Sequence, residues 1–160
     1  MFEYCFVERF SAFLRSDDRQ FGFKKGLGCT HAILSVRKII DGMTANGCTA
    51  SICSLDLSKA FDKVNHCALY IKLMQENFPV ELLELLENWI NNCSSCVKWR
   101  DVYSDFFKVS FGVRQGSVLS PFLFALYVND IVNDRKCTSS AEIIAYADDI
   151  LLISSSVSKL

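Results

Sequence analysis

The sequence predicts an α+β fold in which an antiparallel sheet packs against helices. Residues 51–57 are a short, mostly apolar run bounded by turn residues, which is typical of a buried strand. Residues 143–147 and 150–154 are two further apolar runs separated only by Asp148-Asp149, so they predict two strands in a tight hairpin. Helical periodicity fills much of the chain between these strands, and the combination favours this fold class.

The other elements can be predicted in chain order. Helices are predicted at residues 3–15, 30–40 and 58–77, from Pro79 onward, and at 117–132. Pro121 falls in the first turn of the last of these helices, where proline is tolerated. A second hairpin is predicted over residues 95–111, because apolar side chains occur on both of its arms around a polar turn.

The length and composition are those of one domain with a substantial core. Of 160 residues, 51% are hydrophobic and the mean hydropathy is +0.22, yet no apolar run reaches the roughly 18 residues of a membrane-spanning helix. The first residues include acids and arginines and do not resemble a secretory signal. Eight cysteines without such a signal are typical of reduced thiols. We therefore expect an intracellular protein, cytoplasmic or nuclear, that is neither secreted nor bound to a membrane.

The overall charge argues against nucleic-acid binding, since phosphate neutralisation requires an excess of lysine and arginine. The formal net charge is −1 and the pI is about 6.1. The charges are uneven, however. Residues 1–40 carry seven basic side chains against four acids, and residues 41–92 carry three against seven.

Three aspartates are the candidate site. An acid pair at a hairpin tip is most often only a solvated turn, but Asp148 and Asp149 lie between two apolar strands, and Asp56 ends another. Carboxylates gathered on apolar walls repel one another unless a cation offsets their charge. Hard oxygen ligands favour Mg²⁺ or Mn²⁺, and a pair of such ions can support phosphoryl transfer. The spacing of Cys93 and Cys96 would suit zinc, but a structural site needs a second pair of ligands.

Four segments in order make the interpretation specific. They are QFGFKKGLGCTHAI at 20–33, SLDLSKAFDKVNH at 54–66, GVRQGSVLSPFLFALYVNDI at 112–131 and AYADDILLIS at 145–154. In these segments the chain resembles the reverse transcriptases of LINE-like retrotransposons, which lack long terminal repeats. The resemblance implies a reverse-transcriptase palm with part of the fingers: fingers-side helices and loop at residues 1–48, and palm at 49–160.

The resemblance also implies roles for individual residues. Asp56, Asp148 and Asp149 would be the catalytic residues and would hold two Mg²⁺ (or Mn²⁺) ions; Asp56 and Asp148 would ligate both ions, and Asp149 would help to hold the metal site. The backbone after Asp56 would cradle the incoming triphosphate and, through Leu57, contact metal. Two segments are thereby implicated in nucleotide binding: Leu57, Ser58, Lys59, Ala60 and Phe61, and the pair Gln115 and Gly116.

Phe61 is the residue that bears on substrate choice. The family places an aromatic ring at this position beneath the sugar, where it would collide with a ribose 2′-hydroxyl. The implied substrates are therefore dNTPs, added to a DNA primer on an RNA template. Without the resemblance, Phe61 would be interpreted as a core aromatic on the helix after the strand.

The implied activity is RNA-directed DNA polymerisation. The family's domain normally begins with a further fingers segment and continues to a thumb, so we expect this chain to be a partial domain that is inactive alone. Two alternatives remain open, a non-catalytic remnant of a retrotransposon polymerase and a maturase-like palm. The sequence leaves the oligomeric state open.

Overall fold

A computed structural model describes residues 1–133 and 141–157. Its helices are α1 (Phe2–Phe10), α2 (Cys29–Ala45), α3 (His66–Gln75), α4 (Val80–Asn91), α5 (Ser120–Tyr127) and α6 (Asn129–Asn133). Its strands are β1 (Ser51–Asp56), β2 (Ser94–Ser95), β3 (Lys98–Trp99), β4 (Val102–Tyr103), β5 (Phe107–Lys108), β6 (Glu142–Tyr146) and β7 (Asp149–Ser154). Within these described ranges, no helix is both long and apolar enough to span a membrane.

The main sheet is antiparallel, with the strand order β1-β7-β6. Strand β7 is central and pairs with β1 from Ser51↔Ser154 to Asp56↔Asp149, and with β6 from Glu142↔Ile153 to Tyr146↔Asp149. The predicted fold class, an antiparallel sheet with helices, is confirmed. Strand β1 ends where strand β7 begins, so the two chain segments that carry the acids meet at the same end of the sheet.

Two apolar clusters hold the helices and the sheet together. The larger cluster joins α1, α3, α4 and α5, and its fully buried side chains include Leu69, Leu86 and Leu123. The smaller cluster packs Val132 of α6 against Ile143, Ala145 and Ile150 of the main sheet. Helix α5 belongs to the large core, and α6, which follows it directly in the chain, contacts the sheet that carries the acids. Helices α5 and α6 therefore connect the two clusters.

The prediction that strand β1 is buried is wrong. Ile52 is 49% exposed and Leu55 is 41% exposed, because β1 is an edge strand of the described sheet and has a partner on one side only. An apolar run indicates a strand, but burial depends on the position of that strand in the sheet. The flanking strands β6 and β7 are buried at Ile143, Ile150 and Ile153, as predicted.

The predicted helix at 58–77 begins later than expected. Residues after β1 form a turn with Lys59 at φ +57°, followed by one 3-10 turn at Phe61–Lys63. The side chain of Asn65 then accepts a hydrogen bond from Ala68 N and caps α3. Phe61 fitted the helical period because it packs on the core, although it is not in the long helix.

Two further predictions are corrected in detail. The hairpin over 95–111 consists of two short ladders, β2 with β5 and β3 with β4. The helix at 117–132 is divided at Val128 into α5 and α6. In both places the predicted type of secondary structure is present, but it is divided into two shorter elements.

Candidate active site

The three aspartates lie at neighbouring strand ends. Asp56 is directly opposite Asp149 in the β1–β7 register, and the Leu57 N–H donates to the Asp148 carbonyl at 3.4 Å. Residues directly opposite in an antiparallel pair project to the same face of the sheet, so Asp56 and Asp149 share a face. The structure thus brings together the backbones of the three predicted acids.

The hairpin that carries two of these acids is shifted by one residue from the prediction. Its two-residue loop is Ala147-Asp148, and Asp149 is already the first residue of β7, paired with Tyr146. Ala147 adopts φ +56°, the left-handed region that a non-glycine residue enters at a cost. The half-buried Asp148 is therefore displayed from the loop itself, while Asp149 is exposed at the strand end.

The donor chemistry of these acids fits a divalent cation. Asp56 and Asp149 are exposed, and the hydroxyl of Ser58 donates to Asp56 Oδ2 at 3.4 Å. In the described part of the chain, no three His, Cys, Asp or Glu side chains are grouped closely enough to hold a metal unaided. Mg²⁺ is commonly bound through one or two carboxylates together with substrate phosphates and water, without an all-protein cage.

A cleft of about 460 Å³ opens beside Asp56. One wall is the turn after β1, and the other is the face of α5 that carries Phe124 and Tyr127. The predicted triphosphate-cradling residues Leu57, Ser58 and Ala60 line this cleft with Asp56. The Asp62 N–H donates to the Lys59 carbonyl at 3.0 Å, which closes the turn. The cleft therefore brings one predicted metal ligand next to the predicted phosphate-binding backbone.

Phe61 is held by two other aromatic rings. Its ring stacks on Phe124 of α5 with the centroids 4.8 Å apart and an interplanar angle of 19°, and Phe23 meets it edge-on at 6.1 Å and 89°. Phe61 is half-buried and packs against the large core. The core interpretation and the substrate interpretation are therefore compatible, since a ring fixed on one side by the core can still present its rim to a ligand.

Gln115 and Gly116 lie in a loop that is hydrogen-bonded to the turn after β1. Gln115 Nε2 donates to Asp62 Oδ1 at 3.1 Å, and Gly116 has φ +81°. The Val113 N–H donates to the Phe61 carbonyl at 2.8 Å. A Cβ at Gly112 would lie 2.9 Å from that same carbonyl oxygen, so the two segments approach as closely as only glycine allows. The structure joins both predicted nucleotide-binding segments through their backbones.

Sequence reasoning assigned no role to Gln20, although it opens the first of the four segments. This side chain is 1% exposed and hydrogen-bonds to both backbone groups of Ala147. A buried glutamine cannot be recognised from the local pattern, because its partner is 127 residues away. Gly22 was the available signal, since an isolated glycine often marks a close backbone approach.

The comparisons with known proteins agree with this geometry. Residues 3–160 match the family described as reverse transcriptase (RNA-dependent DNA polymerase). The chain is 29% identical over 137 residues to the probable RNA-directed DNA polymerase from transposon X-element of Drosophila melanogaster, covering 83% of this chain and 15% of that protein. It is 32% identical over 120 residues to the RNA-directed DNA polymerase from mobile element jockey of Drosophila funebris, covering 67% of this chain and 12% of that protein.

Solved structures show the same fold at lower identity. Apo telomerase from Candida tropicalis, truncated from its C-terminal domain, superposes with a TM-score of 0.70 at 17% identity, over 99% of this chain and 37% of that one. Telomerase from the same organism in complex with a TWJ fragment of telomeric RNA gives a TM-score of 0.65 at 16% identity, over 96% of this chain and 28% of that one. With a family match over nearly its whole length and the same fold, the chain belongs to the reverse transcriptase (RNA-dependent DNA polymerase) family.

Proposed function

We propose that this chain is the palm-centred catalytic part of an RNA-directed DNA polymerase of a LINE-like retrotransposon. The observation that carries the proposal is the register that sets Asp56 opposite Asp149 and ties Leu57 to Asp148. It unites two segments, separated by about ninety residues, in which the chain resembles the family. The chain spans 15% of the length of the X-element polymerase, so the activity, substrates and partners of the whole protein are part of this proposal.

Divalent metal ions are generally used by this family, and the finer assignment to individual residues is ours. We infer that Asp56 and Asp148 hold two Mg²⁺ or Mn²⁺ ions, with the Leu57 carbonyl as a further oxygen ligand and Asp149 steadying the site. When bound, such ions lower the cost of deprotonating a primer 3′-hydroxyl and of releasing pyrophosphate. What the strand register supplies is the backbone placement of Asp56 opposite Asp149 at one end of the sheet.

The remaining roles are those of substrate positioning. In our proposal the turn of Leu57, Ser58, Lys59 and Ala60 receives the triphosphate of a dNTP in the cleft beside Asp56. Phe61, backed by Phe124, limits the space beneath the sugar. Gln115 and Gly116 would contribute to nucleotide binding from the adjoining loop, which the hydrogen bond from Gln115 to Asp62 joins to the turn after β1. The template is RNA and the primer is DNA.

The test uses the protein extended at both ends along its reading frame, an RNA template, a DNA primer and labelled dNTPs. We expect Mg²⁺-dependent incorporation, which Asp148→Asn abolishes because it removes a negative charge that offsets the charge of the cations. Glu142→Gln is the matched control: it also removes one carboxylate charge from the β6–β7 hairpin, at the end away from the aspartates, and should leave incorporation unchanged.

Three outcomes would contradict the proposal. If the extended protein is folded but inactive, the chain is a non-catalytic remnant. If it supports intron splicing without copying RNA, the maturase-like interpretation is correct. Unchanged activity in Asp148→Asn would show that the catalytic residues were wrongly assigned.

A further inference from the structure

We propose that Gln20 is a positioning residue which, together with Gly22, fixes the backbone of the acidic hairpin and thereby the direction of the Asp148 carboxylate. This inference rests on the proposed function and goes beyond it, because Gln20 carries no charge and lies outside the aspartate cluster. It concerns the segment 17–24, which precedes α2, and the loop Ala147-Asp148.

Gln20 hydrogen-bonds to the loop through both polar atoms of its side chain. Its Oε1 accepts from the Ala147 N–H at 2.9 Å and from the Gly22 N–H at 2.8 Å, and its Nε2 donates to the Ala147 carbonyl at 3.1 Å. The side-chain amide thus meets both backbone groups of Ala147, as a neighbouring strand would. Since Gln20 is 1% exposed, water cannot readily replace these bonds.

The main chain on either side of Gln20 also contacts the hairpin. Residues 19–21 lie alongside β6 as a parallel bridge, with Ala145 N donating to the Arg19 carbonyl at 2.9 Å and Phe21 N donating to the Ala145 carbonyl at 2.8 Å. A Cβ at Gly22 would lie 2.4 Å from Ala147 N, closer than real atoms approach. Position 22 must therefore be glycine if the segment is to reach the loop.

The segment that carries Gln20 is itself anchored to α6. The carboxylate of Asp17 binds Arg19 Nε at 2.8 Å, and this guanidinium holds the pKa of Asp17 below its usual value. The Asp17 N–H donates to Asn129 Oδ1 at 2.8 Å, and Arg19 Nη2 donates to Asn133 Oδ1 at 2.9 Å. The segment is thus tied to α6, so Gln20 is a rigid support for the loop.

The loop needs such support because of its own backbone. Ala147 is in the left-handed region at φ +56°, which an alanine does not favour. Three hydrogen bonds hold the loop in this conformation. Two join the side chain of Gln20 to the N–H and the carbonyl of Ala147, and the third joins the Leu57 N–H to the carbonyl of Asp148. If Gln20 is lost, Ala147 can relax, and the backbone of the neighbouring Asp148, which carries the carboxylate, shifts with it.

The test compares variants of the extended protein. Gln20→Met keeps the approximate length of the side chain but cannot hydrogen-bond. Gln20→Glu keeps the acceptor toward Ala147 N and Gly22 N but, when ionised, cannot donate to the Ala147 carbonyl. Asp17→Asn is the matched control, because it removes the carboxylate charge that pairs with Arg19 but leaves the Asp17 N–H bond to Asn129 of α6 and the bonds from Gln20 to Ala147 in place.

Three measurements are made on each variant: amide hydrogen exchange at Ala147, the Kd for Mn²⁺ by titration of the free ion, and steady-state kinetics with dNTP. For Gln20→Met we expect faster exchange at Ala147, and a loss of about 10–100-fold in both Mn²⁺ affinity and kcat, as is typical when the support of a metal ligand is removed. The KM for dNTP should stay within about threefold, since the triphosphate contacts lie elsewhere. Gln20→Glu should regain activity as the pH falls, because its protonated form can donate again.

Three results would overturn the inference. One is a folded Gln20→Met protein with Mn²⁺ affinity and kcat within about twofold of the parent. The second is an equal loss in Asp17→Asn, which would make Gln20 an ordinary stabilising residue. If Gln20→Met does not fold, the pH profile of Gln20→Glu decides the question, and a flat profile is the third. An inactive parent protein would contradict the proposed function alone, because exchange at Ala147 and Mn²⁺ binding still report on the support.

Discussion

At the scale of single residues, Phe61 links the core to the proposed choice of substrate. Its ring is stacked on Phe124 and braced by Phe23, so the core fixes its position. In the extended protein, Phe61→Val should raise the relative use of NTPs over dNTPs by roughly 10–200-fold, the range of discrimination that a change of pocket size gives. The measurement is the ratio of kcat/KM for matched NTP and dNTP pairs.

The control for this prediction is Phe61→Tyr, which keeps the ring. It should preserve selectivity for dNTPs. An equal loss of kcat/KM for both sugars in Phe61→Val would show that Phe61 only packs on Phe124, as it would have been interpreted without the family resemblance.

At the scale of elements, α1 caps α5 through one carboxylate. Glu3 Oε2 accepts from the Ser117 hydroxyl at 2.8 Å, from Val118 N at 2.6 Å and from Leu119 N at 3.4 Å. These groups lie at the N-terminus of α5, where a negative charge is favourable, and the α5 N-cap has no side-chain hydrogen bond of its own. Helix α1 is thereby joined to the helix that supports Phe61.

Glu3→Ala should lower the free energy of unfolding by about 1–3 kcal/mol, since it leaves backbone donors without their charged acceptor. Denaturant unfolding of the chain measures this change. Glu8→Ala on the same helix is the control, because Glu8 is exposed, and should shift the value by less than about 0.5 kcal/mol. Equal shifts in the two variants would mean that the capping contacts contribute nothing.

The elements also show how far local sequence patterns can be used. The strands and the acidic hairpin were predictable because their apolar runs are short and separated by two acids. The burial of β1 was not predictable, since it depends on a strand order that no local pattern contains. The one-residue shift of the hairpin loop was not predictable either, since Ala147 in that loop is hydrogen-bonded to Gln20, a contact between residues 127 positions apart.

At the scale of the whole molecule, the 160-residue chain should separate metal binding from catalysis. We expect it to bind Mn²⁺ weakly and to extend no primer, because binding needs only the carboxylates, whereas extension also needs a held primer and template, and a 1 Å error in position can cost about 10²-fold. Titration with Mn²⁺ and a primer-extension assay on the same preparation test both halves. Asp148→Asn should weaken the Mn²⁺ binding, and primer extension by the unextended chain would contradict the prediction.

Large apolar side chains are exposed in at least two regions of the molecule. Ile52 and Leu55 are exposed on β1 next to Asp56, and Trp99 and Phe106 are about three-quarters exposed in the 95–111 hairpin. We expect exposed apolar surface of this kind to flank the cleft. That these side chains form one continuous patch stays a prediction.

The close approach of Gly22 to Ala147 has a consequence for the genetic decay of such genes. Every glycine codon becomes an alanine codon through one base change, and at this position the added methyl group would collide with Ala147 N. A gene copy with this single change would still encode Asp56, Asp148 and Asp149 in an uninterrupted reading frame. Intact carboxylates are therefore not enough to count a copy as functional, and surveys of old copies should score codon 22 alongside those for the acids.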